Sequence, residues 1–501
     1  MLQIILQANK FKNNIAIESD NQQYSYQNLL DASQLAAMRL LNGTFDLNEQ
    51  RVAYMVNPGF DYVKTLWSIW QAGGVAVPLC LTHPLPSLQH VIEDSMVSIV
   101  VISKEYEIIV GAYLTEKNIR MIILDDQDAQ ISEAISVHLP NIASDRMALI
   151  LYTSGTTNKP KGVVTTHNNI QAQISTLVTA WEWNEKDHVL CVLPLHHVHG
   201  VINVIGCSLW SGAICAFIPQ FSAQVIFDLF NQGRLNVFMA VPTIYFKLIT
   251  YFESLEKEVQ LGLEDKMIKF RLMVSGSAAL PVSVMEKWEK ISGHTLLERY
   301  GMTELGMAIS NPYNGARKAG YVGNPLPGVE IQLMNEQYEV IVDDQPGEIV
   351  VKGNNVFKEY WNNPKATIET FTQDGWFKTG DIAVIENGYY RILGRSSVDI
   401  IKSGGYKISA LEIEEVLRAL DQIEDCAVVG IDSEEWGELI VAAIVLNKEA
   451  VGAFDENEIS TLLAQSIASY KKPRKYLVMN ELPRNAMGKV VKNEVKKLFV
   501  S

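Results

Sequence analysis

The stretch Tyr152-Thr153-Ser154-Gly155-Thr156-Thr157-Asn158-Lys159-Pro160-Lys161-Gly162 gathers hydroxyls, glycines and lysines directly after an apolar run at residues 147–151. Those residue types suit a phosphate group. Glycines let the backbone approach an anion, hydroxyls and free N–H groups donate to its oxygens, and lysines offset its charge. The Walker pattern does not fit, because Lys161 is preceded by Pro160 and followed by Gly162. Taken alone, the stretch suits a polar surface turn equally well.

Three further stretches carry groups of related chemistry. Glu298-Arg299-Tyr300-Gly301-Met302-Thr303-Glu304 sets a glycine between an aromatic and a Thr-Glu pair. Trp376-Phe377-Lys378-Thr379-Gly380-Asp381 ends fourteen residues before Arg395. Asp381 can accept from both hydroxyls of a ribose, and Arg395 can reinforce that contact. Pro483-Arg484-Asn485-Ala486-Met487-Gly488-Lys489 presents a lysine on a tight glycine turn near the chain end. A simple turn and a solvated tail lysine are the plain readings of the first and last of these.

Loops of this kind need a frame. Apolar residues recur at helical spacing from Tyr24 to Leu41, with Ser25 as the opening residue. Residues 51–56, 60–72 and 74–78 alternate as β-α-β, and 99–102, 121–124, 189–193, 213–217, 237–241 and 272–275 repeat the apolar strand signature. This predicts parallel sheets covered by helices. Around Asn387-Gly388-Tyr389 the pattern becomes hairpin-like, and after Gly394 a small α+β unit is expected, giving domains 1–394 and 395–501. Its predicted elements are a helix over 410–420, strands over 425–431 and 440–446, a helix over 456–470 and a strand over 475–479.

A chain of 501 residues is long enough for two or more cores. Hydrophobic residues at 48% and charged residues at 20% are ordinary for a globular protein, and no apolar run reaches the length of a membrane span. The net charge of −15 argues against broad binding to nucleic acid, and it requires any site for anionic substrates to concentrate its own cations. Five cysteines without CxxC spacing suggest neither zinc nor a disulfide framework. The amino terminus shows no signal or transit pattern, so a cytoplasmic location is expected.

In this order and at these spacings, the four stretches resemble the adenylate-forming superfamily of acyl-CoA synthetases, peptide-synthetase adenylation domains and luciferases, over essentially the whole chain. The resemblance implies an α/β fold, with a large amino-terminal part of layered sheets and helices and a small mobile α+β carboxyl-terminal lid. It implies ATP and CoA as substrates with Mg²⁺. Thr153, Ser154, Gly155, Thr156, Thr157, Lys159 and Lys161 would form the phosphate loop. Ser277, Ala278, Ala279 and Tyr300 would lie about adenine, and Thr303 near the α-phosphate. Glu304, with Thr153, would hold Mg²⁺. Asp381 and Arg395 would hold ribose, and Lys489 would be the catalytic lid lysine. His197, in Pro194-Leu195-His196-His197-Val198-His199-Gly200, matches a position that lines the acyl pocket and gates the thiol. Gly404 and Gly405 match the lid segment bordering the pantetheine tunnel. Asn158 departs from the family's usual glycine, and Arg395-Ser396-Ser397-Val398-Asp399 is a residue longer than the commonest hinge.

Within the superfamily the resemblance is strongest to malonyl-CoA synthetases. A fatty-acid pocket is apolar, and a charge there is costly unless paired. The malonate pattern instead places an arginine at Arg299 and a hydroxyl at Ser275 on the distal carboxylate, with a second cation at Lys247. The expected reaction is ligation of malonate, or methylmalonate, to CoA. A short- or medium-chain fatty acyl-CoA ligase is the alternative of the same class. An ATP-binding hydrolase or phosphotransferase is the alternative of a different class. Arg299 paired with a protein acid such as Glu298 or Glu304 is the purely structural alternative.

Overall fold

Parallel strands need a covering crossover between them, and the β-α-β alternation of the first part of the chain builds two such sheets. The structure, a computed structural model, describes residues 2–124, 138–153, 160–341, 344–447, 454–485 and 488–500. One sheet has seven strands among the described residues. Arg51–Met55, Val75–Pro78, Ile99–Ser103 and Arg120–Leu124 run parallel in it, and the antiparallel hairpin Met147–Thr153 with Lys161–Thr166 extends it. The other has nine strands, in which Val237–Ala240, Leu272–Ser275 and Leu297–Met302 are parallel neighbours. The helix Phe60–Gln71 is buried continuously from Tyr62 to Trp70, so it lies between layers rather than on the surface. Ser25 opens the helix Tyr26–Leu41 with a capping box closed by Asn28.

A four-stranded antiparallel sheet follows, formed by Val329–Met334, Gly347–Gly353, Phe377–Glu386 and Tyr389–Arg395. Asn387 and Gly388 both take left-handed φ, at 53° and 79°, as a two-residue hairpin turn of matching twist requires. The pairing sets Asp381 directly opposite Arg395.

The last part of the chain forms a five-stranded sheet with its own core, in which Ile401, Ile413, Val428 and Ile440 cluster with Ile459 and Leu463. The helix expected over 456–470 ends at Leu463. The chain then turns at Ala464–Ser466, returns Ile467 to the core and makes a single 3-10 turn at Ser469–Lys471. This unit docks on the rest through specific groups. Glu415, on the helix Ala410–Arg418, accepts from Val282 N at 3.3 Å. Val282 begins the helix Val282–Ser292, whose N-cap is Pro281 and has no side-chain cap of its own, so the acid arrives at an uncapped positive helix end. Lys407 pairs with Glu336 at 2.7 Å.

The connection at residues 395–399 is anchored at both ends. Ser396 N donates to Gly380 O at 2.8 Å, on the side of the four-stranded sheet. Asp399 O accepts from Ala410 N at 2.8 Å, and its carboxylate pairs with Lys492 at 2.6 Å, on the side of the small unit.

Arg271 makes a two-pronged contact to the carboxylate of Asp187 and donates a further bond to Trp181 O, fastening the nine-stranded sheet to the end of the helix His167–Ala180. Asp187 is 1% exposed. Asp187→Ala leaves that guanidinium unpaired and is expected to cost about 3–5 kcal/mol. Arg234→Ala, at an exposed pair with Glu18, is expected to cost no more than about 1 kcal/mol. Urea unfolding midpoints of the two variants, followed by tryptophan fluorescence, check the difference.

Candidate active site

Hairpin register places Thr153 opposite Lys161. The two residues line a cavity of about 290 Å³ with Glu304, Tyr360, Thr379 and Arg395. Ser154, Gly155, Thr156, Thr157 and Lys159 lie outside the described residues. Glu359–Tyr360 pairs with Lys161–Thr166, which brings Tyr360 under the Lys161 ammonium at 5.1 Å and lets its hydroxyl donate to Glu304 Oε1 at 2.9 Å. Glu304 is 6% exposed, and burial raises its pKa. A buried carboxylate and a hydroxyl beside a phosphate-sized cavity are hard oxygen donors. They fit Mg²⁺, which takes one or two carboxylates and fills its remaining positions from phosphate and water.

At the other end of this cavity, Arg395 Nε donates to Asp381 Oδ1 at 3.0 Å, and the Tyr300 hydroxyl donates to Asp381 Oδ2 at 2.6 Å. Arg395 Nη2 also donates to Thr379 O at 3.1 Å. Asp381 keeps Arg395 charged against the opposing effect of burial. Thr303, half-buried, stands beside Glu304, while Ala278 and Ala279 are exposed beyond the end of the strand Leu272–Ser275.

Arg299 is 3% exposed and has no acid within ion-pair distance among the described residues. Adjacent residues of a strand face opposite ways, so Glu298 projects away from it. The Glu298 carboxyl instead accepts from Leu280 N at 3.1 Å, and burial pushes its pKa up to about 8, so it is protonated at neutral pH. Burial also lowers the Arg299 pKa, to about 9, which leaves the guanidinium charged. Its one side-chain hydrogen bond among the described residues is a long one, to Ser277 Oγ at 3.5 Å, and Nε has no partner. Ser277 Oγ also meets His199 Nδ1 at 3.2 Å. Ser275 is fully buried without a hydrogen-bond partner and is paired in register with Glu298, so its side chain lies on the face opposite Arg299.

Lys489 lines a cleft at the face of the small unit. Its side chain keeps solvent contact, yet surrounding protein and the charges of Arg299 and Arg395 lower its pKa, with Asp381 opposing. His197 faces the same cleft. Burial, His196 and Lys489 lower its pKa to about 3, so the ring is neutral. Lys489 is thus within electrostatic reach of Arg299, Arg395, Asp381 and His197, while Asp381 joins Tyr300 to Arg395 and Arg395 shares a cavity with Glu304, which gathers these groups about one cleft. Lys247 is exposed, with its ammonium 5.5 Å above the Phe221 ring, and contacts none of them. Gly404 and Gly405 form an exposed hairpin turn on Trp436, away from the cleft. Tyr360, Glu415 and the Ser277 and His199 contacts were not singled out from sequence. Only His199 carried a signal, as the third histidine of a short run.

Residues 6–361 match the family model for AMP-binding enzymes, and residues 412–489 match that for the AMP-binding enzyme C-terminal domain. A mitochondrial malonate–CoA ligase of Bos taurus is 42% identical over 91% of this chain and 82% of its own. The crystal structure of ATP-bound MatB from Rhodopseudomonas palustris superposes with a TM-score of 0.90 at 32% identity, covering 100% of this chain and 99% of that one. The o-succinylbenzoate CoA synthetase of Bacillus subtilis, in complex with ATP and magnesium, superposes with a TM-score of 0.85 at 26% identity over 99% of both chains. The geometry of the cleft and the extent of these matches lead to one conclusion, that the chain belongs to the AMP-binding enzyme family.

Proposed function

We propose that this protein ligates malonate to CoA in an ATP- and Mg²⁺-dependent, AMP-forming reaction. The observation that carries the acid is Arg299, a buried cation without a protein counter-ion. Leaving a charge in that state costs several kcal/mol, and a distal carboxylate of the substrate removes the cost. Ser277 Oγ, within reach of the same guanidinium, supports this reading of the pocket. Ser275 and Lys247, expected from sequence to share the carboxylate, receive no such support, since one faces away and the other is exposed. Methylmalonate differs by one methyl group and is the nearest competing acid. A fatty acid leaves Arg299 unpaired.

In the first half-reaction a malonate carboxylate oxygen attacks the α-phosphorus of ATP. The bond to the β-phosphate oxygen breaks, and pyrophosphate leaves. Two anions must meet, so neutralising charge is the main catalytic task. Lys489 serves the reacting carboxylate and α-phosphate, Lys161 and the loop before it the outer phosphates, and Thr303 the α-phosphate. Asp381 and Arg395 hold ribose, and Tyr300 with Ser277-Ala278-Ala279 flanks adenine. Glu304 and Thr153 would hold Mg²⁺, which when bound would add positive charge at the phosphates. In the second half-reaction the CoA sulfur attacks the acyl carbon, AMP leaves, and the thiol proton passes to solvent. The neutral ring of His197 borders that path.

We divide the chain into an ATP- and acyl-binding domain, 1–394, and a mobile lid, 395–501. Separate cores on either side of residues 395–399 support this division. The Gly404-Gly405 hairpin contacts Trp436 rather than the charged groups around Lys489, so one pose serves adenylation and another brings the hairpin to the thiol path. We place the enzyme in the cytoplasm, and five buried free cysteines fit a reducing compartment. The bovine relative is named as mitochondrial, and cell fractionation separates the two locations. Among the described residues no helix is long and apolar enough to cross a membrane.

A panel of acids assayed for acid- and CoA-dependent pyrophosphate release tests reaction and substrate together. Malonate is expected to lead it, with AMP and pyrophosphate as products. ADP and phosphate would instead favour the hydrolase or phosphotransferase reading. Lys489→Ala is expected to abolish acid-dependent pyrophosphate release while still converting supplied malonyl-AMP and CoA to thioester, and equal loss in both assays would remove Lys489 from the adenylation step. Arg299→Ala is expected to lower kcat/KM for malonate roughly 30- to 4000-fold, as truncation of a buried charge pair does, with butyrate unchanged or improved. Equal loss for both acids would overturn the malonate reading.

A further inference from the structure

Arg299 discriminates between acids only if its guanidinium is held where a distal carboxylate can reach it. A long flexible side chain needs a seat for that. The guanidinium lies against the backbone of Gly276. A methyl group at that position would stand 2.5 Å from Cζ, 2.6 Å from Nη1 and 2.7 Å from Nε, closer than any real carbon contact. Gly276 is not in the left-handed region, so an alanine there meets no backbone strain. Its effect falls on Arg299.

The edge of the guanidinium is held from the other side. Ser277 takes φ of 70°, rare for a residue with a Cβ, and this backbone sets its hydroxyl between Arg299 Nη2 at 3.5 Å and His199 Nδ1 at 3.2 Å. Arg299 can only donate, so Ser277 Oγ accepts from it, and with His199 in its Nε2–H tautomer the hydroxyl donates to Nδ1. That tautomer is a neutral ring, and its Nε2 has no partner among the described residues. Burial and the nearby Arg299 charge favour that state. The ring is supplied by a π-helical turn, His199–Gly206, a rare conformation that recurs at functional sites.

We infer that Gly276 and His199 are positioning residues for acid specificity. Gly276 leaves the space in which the Arg299 guanidinium lies, and His199 orients the Ser277 hydroxyl that holds its edge. The inference rests on the malonate reading. Its test compares kcat and KM for malonate, butyrate and ATP in wild type, Gly276→Ala, Arg299→Ala and the double variant. Gly276→Ala is expected to raise the malonate KM and to lower kcat/KM for malonate by about 30-fold or more. The KM for ATP should stay within about twofold, and butyrate turnover should not fall. In the Arg299→Ala background the Gly276→Ala change should have little further effect, because it acts through the side chain already removed. Equal loss for malonate and butyrate, or full additivity in the double variant, overturns the inference.

A second pair addresses His199 and serves if Gly276→Ala does not fold. His199→Phe keeps the ring volume but removes the acceptor, and is expected to lower malonate kcat/KM roughly tenfold. His199→Asn can restore an acceptor near Nδ1 and should recover most of it. Identical behaviour of Phe and Asn overturns the role of His199. If wild type does not prefer malonate to butyrate, or Arg299→Ala keeps that preference, the malonate reading itself fails. If both behave as expected but Gly276→Ala and His199→Phe keep the wild-type preference, only this inference fails.

Discussion

A guanidinium sealed from water without a counter-charge is the constraint to which this site answers. Arg299 sits within the strand Leu297–Met302, just past the end of its parallel pairing with Leu272–Ser275, and its neighbour in sequence, Glu298, is turned to the other face and held neutral by burial. The fold therefore maintains an unbalanced charge at its centre. Such an arrangement is expensive in an empty protein and persists where a ligand completes it. The α/β layers supply the rigidity this needs, since strand ends anchored by parallel ladders place side chains more firmly than loops do.

The same imbalance extends to the small unit. The chain as a whole carries −15, yet Arg299, Arg395 and Lys489 gather in one cleft with Asp381 as the nearest opposing charge. Seating Lys489 there works against two cations. Anionic reactants would reverse the sign of that term, so in the proposed lid motion substrate binding would favour the docked pose beyond any direct contact with the lid. Glu415 at the end of the helix Val282–Ser292 and Lys407 on Glu336 hold the docked pose more locally. Small differences between these terms decide how the unit divides its time.

Much of the frame was legible in the sequence, because apolar periodicity reports burial directly. The strands Ile99–Ser103 and Leu272–Ser275, the helix behind Ser25 and the Asn387-Gly388 hairpin fall where that periodicity and turn chemistry put them. Side-chain direction was harder to read. Ser275 and Ser277 are two residues apart, yet only Ser277 reaches Arg299, because the strand ends at Ser275 and the following backbone enters a left-handed conformation. The possible pairing of Arg299 with Glu298 fails for a related reason, strand alternation, which becomes visible once Leu297–Met302 is known to be a strand. The turn that supplies His199 was not legible, since one extra residue per helical turn leaves no mark in composition. The helix over 456–470 was drawn too long because its polar surface continues past the point at which the backbone turns to bury Ile467.

The anchoring on either side of residues 395–399 has a mechanical consequence. Asp399 also accepts from Arg395 N at 3.0 Å and donates to Arg395 O at 2.8 Å, so the connection closes on itself as a compact turn between the two sides. Such a turn is a short, stiff coupling, and in the proposed lid motion Lys489 would move with the unit beyond it. Backbone stiffness in this turn would therefore set the stroke of the proposed lid. Val398, β-branched and restricted in its torsions, narrows the range of that stroke. The duty ratio between the two proposed poses would then be open to retuning by residues that touch neither substrate nor cofactor.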